Sequence, residues 1–453
     1  MVSVPASARQ QPVPRSFRRV FWLIPPTLIA VSVIWLMHPS FPLQPISRVY
    51  IDLQVYREGV QAAIHGANMY GTLPKTTLGI GLPFIYPPFA ALALGPFALI
   101  PWNPARVGFF ALSVASLTIT LYLVVRRLWG VRGIELALWA TACAVPLGVL
   151  LEPVHSTLDF GQVNLVLMVL VAVDCLSERP VWKRGILVGL AAAIKLTPAA
   201  FVLYFLIRRD YKAAITAAIT GVVATALAWV LMPGESVRYW FGGMGNVSGL
   251  SGSAFKTNQS IQGVLARFQV PEPAFTALWA VLSLALLVLT VAAMRRAADN
   301  PPLAMSFNAV FTLLVSPISW SHHWVWIAPA LLAAFGAAGR LPARKAVLWY
   351  ALLLFTAWDF VYGPSNREPG DGNREFSWTL WQHIVGDSYV WLSVLLVILY
   401  VVFTAKPADS EPLFPDSLRT LRSRVASAPG SAQQPDPVLA PSPSASQPSQ
   451  SST

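Results

Sequence analysis

Charge is scarce in this chain. Only 11% of its 453 residues are Asp, Glu, Lys or Arg, against 55% hydrophobic. With a mean hydropathy of +0.57, that balance excludes a water-soluble globular domain. Cysteine is nearly absent: Cys143 and Cys175 both lie in apolar runs, which rules out a disulfide framework and matches no zinc-ligand spacing, so they read as small buried hydrophobes. A basic stripe is missing too. The net charge of +12 comes from Lys and Arg at the ends of apolar runs, where they report membrane orientation, so no nucleic-acid partner is expected. No internal repeat is evident, and no acidic pair has metal-ligand geometry, so neither metal nor cofactor is expected.

What is present is a series of apolar runs of 15 to 23 residues along most of the chain. Only helices satisfy their own backbone groups at that length in lipid, so the class is an all-α polytopic integral membrane protein. The run 21–37 follows a basic segment but lacks a small-residue cleavage pattern, and reads as a retained first span. Arg9, Arg15, Arg18 and Arg19 put the N-terminus in the cytoplasm and the following loop outside, while Arg126 and Arg127 close the 107–125 span on the inside. The piece 88–101 is then interfacial or re-entrant. Further spans are expected at 134–151, 163–176, 213–232, 274–293, 303–320, 324–338, 346–362 and 389–403. The stretch 185–207 has basic residues at both ends and Pro198 in its middle; a hairpin of two half-helices turning at 195–198 meets that demand, with one full span the plainer alternative. About twelve membrane helices result, with both termini cytoplasmic. The tail from 406 is rich in Pro, Ser, Ala and Gln and is expected to be disordered.

Under this topology the unusual polar residues fall on one side. Asp52 and Glu58 lie in the first external loop; Glu152, His155, Asp159, Gln162 and Asn164 surround the next external turn. Lys195 sits at the hairpin apex, Lys256, Asn258 and Gln259 in a later external loop, and His322 and His323 at the end of an outward span. Polar groups at membrane depth are costly and face a cavity or one another, which points to a site at the external boundary. Each residue also has a plainer reading. Asp52 could cap a helix over 53–64. The stretch from Asp159 to Asn164 could be a simple turn. Trp102, Trp320, Trp324 and Trp326 could form an interface belt. Asn246 and Asn258 head short glycosylation-type triplets. Adjacent histidines on a helix point about 100° apart, so His322 and His323 suit an anion better than a metal.

Several ordered motifs carry a resemblance. Ile51-Asp52-Leu53-Gln54-Val55-Tyr56, Leu82-Pro83-Phe84-Ile85-Tyr86-Pro87-Pro88, Leu151-Glu152-Pro153, Phe160-Gly161-Gln162-Val163-Asn164, Lys195-Leu196-Thr197-Pro198 and the run from Ser316 to Trp326 resemble glycosyltransferase family 87. These are polyprenol-phosphate-sugar-dependent membrane transferases with the GT-C fold. The resemblance covers roughly 45–405. Val173-Asp174-Cys175 and the run from Leu203 to Asp210 look most similar to the α-(1→2)-mannosyltransferases that branch lipomannan and lipoarabinomannan. Together with the charge-derived topology, it gives a cytoplasmic N-terminus at 1–19, a catalytic membrane domain at 20–405 with its first external loop at 38–105, and a disordered cytoplasmic tail at 406–453.

The resemblance further implies that Asp52 is the essential loop carboxylate, and the chemistry agrees. A polyprenyl phosphate is a good leaving group needing no general acid, so one carboxylate can take the acceptor hydroxyl's proton as it attacks the anomeric carbon with inversion. His322, His323 and Lys195 are expected to hold the donor phosphate. Glu58, Tyr86, Glu152, His155, Asp159, Gln162, Asn164, Lys256, Asn258, Gln259 and Trp320 are expected to bind sugar or acceptor. The expected partners are polyprenyl-phosphate-mannose, a mannosylated glycolipid and the bilayer. Extension of phosphatidylinositol mannosides, arabinofuranosyl transfer and lipid-linked-sugar transport are the alternatives.

Overall fold

The computed structural model describes residues 15–37, 49–129, 133–243, 253–338, 345 and 374–404. The start of the basic N-terminus, the 346–362 span, the Asn246 triplet and the tail lie outside them. The described residues form α1 Arg15–Met37, α2 Ile51–Ile64, α3 Pro88–Leu99, α4 Trp102–Trp129, α5 Ile134–Val149, α6 Glu152–Phe160, α7 Asn164–Leu176, α8 Ile186–Ile194, α9 Val202–Ile207, α10 Tyr211–Leu231, α11 Pro233–Val237, α12 Ile261–Arg267, α13 Ala274–Arg296, α14 Pro301–Val315, α15 Ile327–Ala338, α16 Leu380–Gly386 and α17 Ser388–Phe403. The expectation of an all-helical membrane chain holds among these residues.

Local chemistry sets many helix starts. Asp210, Ser260 and Asn300 cap α10, α12 and α14 by accepting from the N–H groups of Ala213, Gly263 and Leu303 at 3.0–3.1 Å. Thr379 and Gln382 form a capping box on α16. Pro88 and Pro301 start their helices, where the missing N–H costs nothing. Buried Asp174 ties α7 to α8: its carboxylate accepts from the backbone N–H of Gly185 at 2.8 Å and Val188 at 3.0 Å, and from the Trp182 indole at 3.0 Å.

Among the described residues, three helices, at Trp102–Leu128, Tyr211–Leu231 and Ala274–Arg296, are long and apolar enough to cross a bilayer, or five if each of two bent pairs counts as one span. Long apolar helices therefore account for only part of the twelve expected. The remaining apolar helices, including α3, α7 and α14, are shorter than the roughly 20 residues a straight crossing takes. Side chains such as Val222, Val230 and Leu284 stand exposed on the long helices, as lipid contact requires.

The helices break where the polar motifs lie. α5 and α6 meet at 74° just before Pro153, and α16 and α17 at 70°. α8 stops at Lys195, whose backbone is extended (φ −148°, ψ 130°), and a 3₁₀ turn at Thr197–Phe201 containing Pro198 leads into α9. The break expected at 195–198 is therefore present. α14 ends at Val315, and a 3₁₀ turn over Ser321–Trp326 carries the two histidines into α15.

Candidate active site

An open cavity of about 560 Å³ lies where these breaks converge. The first turn of α2 contributes Ile51 and Asp52, the following loop Ile85 and Tyr86, and the end of α6 Phe160, followed by Gln162. The break after α8 adds Lys195 to Thr197, and the 316–323 segment adds Trp320, His322 and His323. Seven residues expected from sequence thus share one cavity: Asp52, Tyr86, Gln162, Lys195, Trp320, His322 and His323.

Asp52 does not cap its helix. Tyr50 occupies that position in a left-handed conformation (φ 50°), and Asp52 sits one residue inside α2. The Gln162 amide holds it, and two tyrosine hydroxyls in turn hold that amide. The Gln162 Oε1 accepts from the Tyr56 hydroxyl, from the Tyr86 hydroxyl at 3.0 Å and from the Val163 N–H at 3.0 Å. With its oxygen saturated, the amide can present only N–H to Asp52, and it donates there. Burial raises the Asp52 carboxyl to about 7; the Lys195 charge and the Gln162 hydrogen bond oppose that rise. A carboxylate so placed suits proton abstraction near neutral pH.

Lys195 faces Asp52 as the only Lys or Arg lining the cavity among the described residues. Its ammonium donates to Asn164 Oδ1 at 3.1 Å and to His323 Nε2 at 3.2 Å. An ammonium can only donate, so this His323 carries its proton on Nδ1. Lys195 Nζ also lies 5.6 Å from the Tyr86 ring centroid. The His322 carbonyl accepts from Thr157 Oγ1 at 2.7 Å and Asn164 Nδ2 at 2.9 Å, while its ring meets those of Phe160 and His323 edge-on at 5.2 and 4.8 Å. Its Nε2 is buried without a hydrogen-bond partner among the described residues. Ammonium and imidazole side by side, opposite a carboxylate, form a half-site for a phosphate.

The other expected residues do not line the cavity. Asn164 stands behind it, bonded to Lys195 and His322. Glu152 is fully buried and accepts from Ser156 at 2.9 Å, Ser321 at 2.8 Å and Tyr389 at 2.9 Å, so it braces the histidine turn. Asn258 is fully buried: its Nδ2 donates to the carbonyls of Ser253 and Pro317, and its Oδ1 accepts from the Ser319 N–H at 2.9 Å. That burial removes Asn258 as a glycosylation acceptor. Gln259 is buried and ties Lys256 to Gly386 through their carbonyls. Lys256 donates its backbone N–H to Glu375, while its neighbours Phe255 and Thr257 reach the cavity. Glu58 and His155 are half-buried on α2 and α6. Asp159 is buried, and its carbonyl accepts from the Tyr50 N–H. The turn reading holds at Gly161, which closes α6 in the left-handed conformation. Trp324 is core rather than belt, and Trp326 stacks on Phe201 at 4.8 Å.

Sequence reasoning missed Tyr56, Phe160, Thr197 and Tyr239. Tyr56 was discoverable, because it lies four residues after Asp52 and so on the same helical face. Among the described residues, no three His, Cys, Asp or Glu side chains group as metal ligands. A second groove of about 750 Å³, apolar-walled apart from Thr225, runs between α8 and α10 and shares Leu196 with the cavity.

Residues 84–317 match glycosyltransferase family 87. The chain is 37% identical to a polyprenol-phosphate-mannose-dependent α-(1-2)-phosphatidylinositol mannoside mannosyltransferase of Mycobacterium tuberculosis, over 84% of this chain and 91% of the relative. It is 36% identical to the protein of the same description from Mycolicibacterium smegmatis, over 84% and 89%. A polyprenol-phosphate-mannose-dependent α-(1-2)-phosphatidylinositol pentamannoside mannosyltransferase of that organism is 32% identical over 73% of this chain and 77% of its own length. Fold and site are those of a membrane glycosyltransferase. The chain belongs to glycosyltransferase family 87, and its all-helical architecture agrees with the GT-C fold expected of it.

Proposed function

We propose that this protein transfers mannose from polyprenyl-phosphate-mannose to a mannosylated glycolipid, forming an α-(1→2) linkage with inversion. The observation that carries the reading is the single cavity holding Asp52 opposite Lys195, His322 and His323. Asp52 takes the proton from the acceptor hydroxyl as its oxygen attacks the anomeric carbon. The polyprenyl phosphate leaves with the bonding pair, its charge met by Lys195 and the unpartnered Nε2 of His322. Gln162 and Tyr86 orient the base, Trp320 offers a face to a sugar ring, and Asn164 holds both phosphate-binding groups in place. The apolar groove meeting the cavity at Leu196 suits the polyprenyl chain. The catalytic domain spans 20–405 with the cavity opening on the external face and both termini in the cytoplasm.

Two acceptors fit this chemistry. A mannan core gives lipomannan-type branching; a phosphatidylinositol mannoside gives the extension named for the relatives. The test supplies purified protein with radiolabelled polyprenyl-phosphate-mannose and each acceptor in turn, with Asp52→Asn in parallel. Asp52-dependent α-(1→2)-mannoside is the expected product, undiminished by excess chelator. Transfer only from polyprenyl-phosphate-arabinose would replace the donor assignment, and no transfer by folded protein from either donor would sink the enzymatic reading.

A further inference from the structure

Beside the catalytic cavity, α2 and α4 place two guanidinium groups around one indole. The Cζ atoms of Arg57 and Arg106 lie 5.6 and 5.7 Å from the Trp102 ring centroid, and that of Arg106 lies 5.8 Å from the Tyr50 ring. Trp102 and Arg106 are four residues apart on α4 and share a face. The two arginines differ in what the fold asks of them. Arg57 Nη1 donates to the carbonyls of Phe97 and Ile100, closing the C-terminus of α3. Arg106 bonds Asn103 Oδ1 at 2.7 Å, but its Nε is buried with no hydrogen-bond partner among the described residues. Neither guanidinium has a carboxylate within 4.0 Å among the described residues. A half-buried cation with an unmade hydrogen bond is destabilising until an anion supplies it. The planar fork of arginine matches phosphate oxygens, and its stacking on Trp102 and Tyr50 holds that fork in place.

Position narrows the choice of anion. Tyr50 stands between Arg106 and the start of α2, and the next two residues, Ile51 and Asp52, line the cavity. The donor phosphate already has Lys195 and His322 across the cavity. An anion held beside α2 lies on the side of Asp52, the base that meets the attacking hydroxyl, and so belongs to the acceptor. We propose that Arg106, with Arg57 and Trp102, binds the phosphodiester of a glycerophospholipid-anchored acceptor and so sets which hydroxyl reaches Asp52. This rests on the reading that the protein glycosylates such a lipid.

The test is initial-rate kinetics in neutral phosphatidylcholine nanodiscs with radiolabelled polyprenyl-phosphate-mannose. Two acceptors are compared, a phosphatidylinositol mannoside and a neutral alkyl α-mannoside. For Arg106→Gln the expected result is a KM for the anionic acceptor raised about tenfold, the loss of roughly one charge-assisted hydrogen bond. The KM of the neutral acceptor stays within about twofold, because it has no phosphate for Arg106 to hold. Arg106→Lys, which keeps the charge and loses the fork, falls between, and it carries the test alone if the glutamine variant does not fold. Equal KM changes for both acceptors, or none, would overturn the proposal. So would equal stimulation of both acceptors by added phosphatidylglycerol, which assigns the site to bulk lipid. Wild type inactive on both acceptors would instead remove the transferase reading beneath it.

Discussion

Burial lifts the Asp52 carboxyl toward neutrality, so a pH dependence is expected at this residue. A base works deprotonated, so kcat/KM is expected to rise with pH through a midpoint about 7, the value to which burial lifts this group. The Gln162 amide stabilises the charged form; Gln162→Leu removes that donor and is expected to move the midpoint upward, read from pH profiles of the two proteins. Asp52→Asn keeps the shape and loses the proton acceptor, so a rate loss of about 10²–10⁴ with donor binding retained is expected. At Lys195 the expected effect lies in donor binding: Lys195→Met raises the donor KM by about tenfold or more, since it removes a charged partner of the phosphate. A larger effect on acceptor KM than on donor KM would reassign that residue.

Broken helices carry these residues, and buried polar braces hold the breaks. Arg267 on α12 is fully buried and pairs with Asp387 at 2.7 Å, while His383 Nδ1 lies 3.1 Å from the other carboxylate oxygen. Arg267 also donates to the carbonyls of Ala254, Phe255 and Asn258. It thereby fixes the loop whose Phe255 and Thr257 line the cavity. Arg267→Met leaves Asp387 buried without its cation and is expected to destabilise by about 3–5 kcal/mol, seen as a lower Tm in detergent. Gly161 allows α6 to end against α2: its φ is +64°, and a Cβ there would meet Tyr50 at 2.8 Å and Leu53 at 2.9 Å. Gly161→Ala is expected to displace the start of α2 and lower both Tm and kcat. Unchanged kcat in a folded Gly161→Ala protein would show that this contact does not position Asp52.

Over the whole molecule, basic residues at run ends predict the orientation of the chain and an external cavity. Thr77, exposed in the loop after α2, and Arg179, exposed after α7, test it. A single cysteine at Thr77 is expected to react with an impermeant maleimide in intact cells, and one at Arg179 only after permeabilisation. The reverse pattern would invert the topology. Helix positions along the described chain were legible because lipid leaves no other way to satisfy a backbone, and the break at 195–198 was legible from Pro198 between two basic ends. The number of crossings was not: bends at α5–α6 and α16–α17 and helices too short for a straight span depend on packing that periodicity does not encode.

Composition and charge placement alone determined an all-helical membrane chain, and the ordered motifs marked Asp52, Lys195, His322 and His323, because carboxylates, amines and imidazoles are too costly in lipid to occur there without a partner or a task. Only the tertiary structure decided which polar residues face the cavity and which hold it up. Glu152, Asn258 and Gln259 have the same chemical character as Asp52 and Gln162, yet their groups only brace neighbouring segments, while Asp52 and Gln162 also line the open space. A polar side chain near a helix end can serve either purpose, and what separates them is the position of a partner from about sixty to more than two hundred residues away, which no local pattern records.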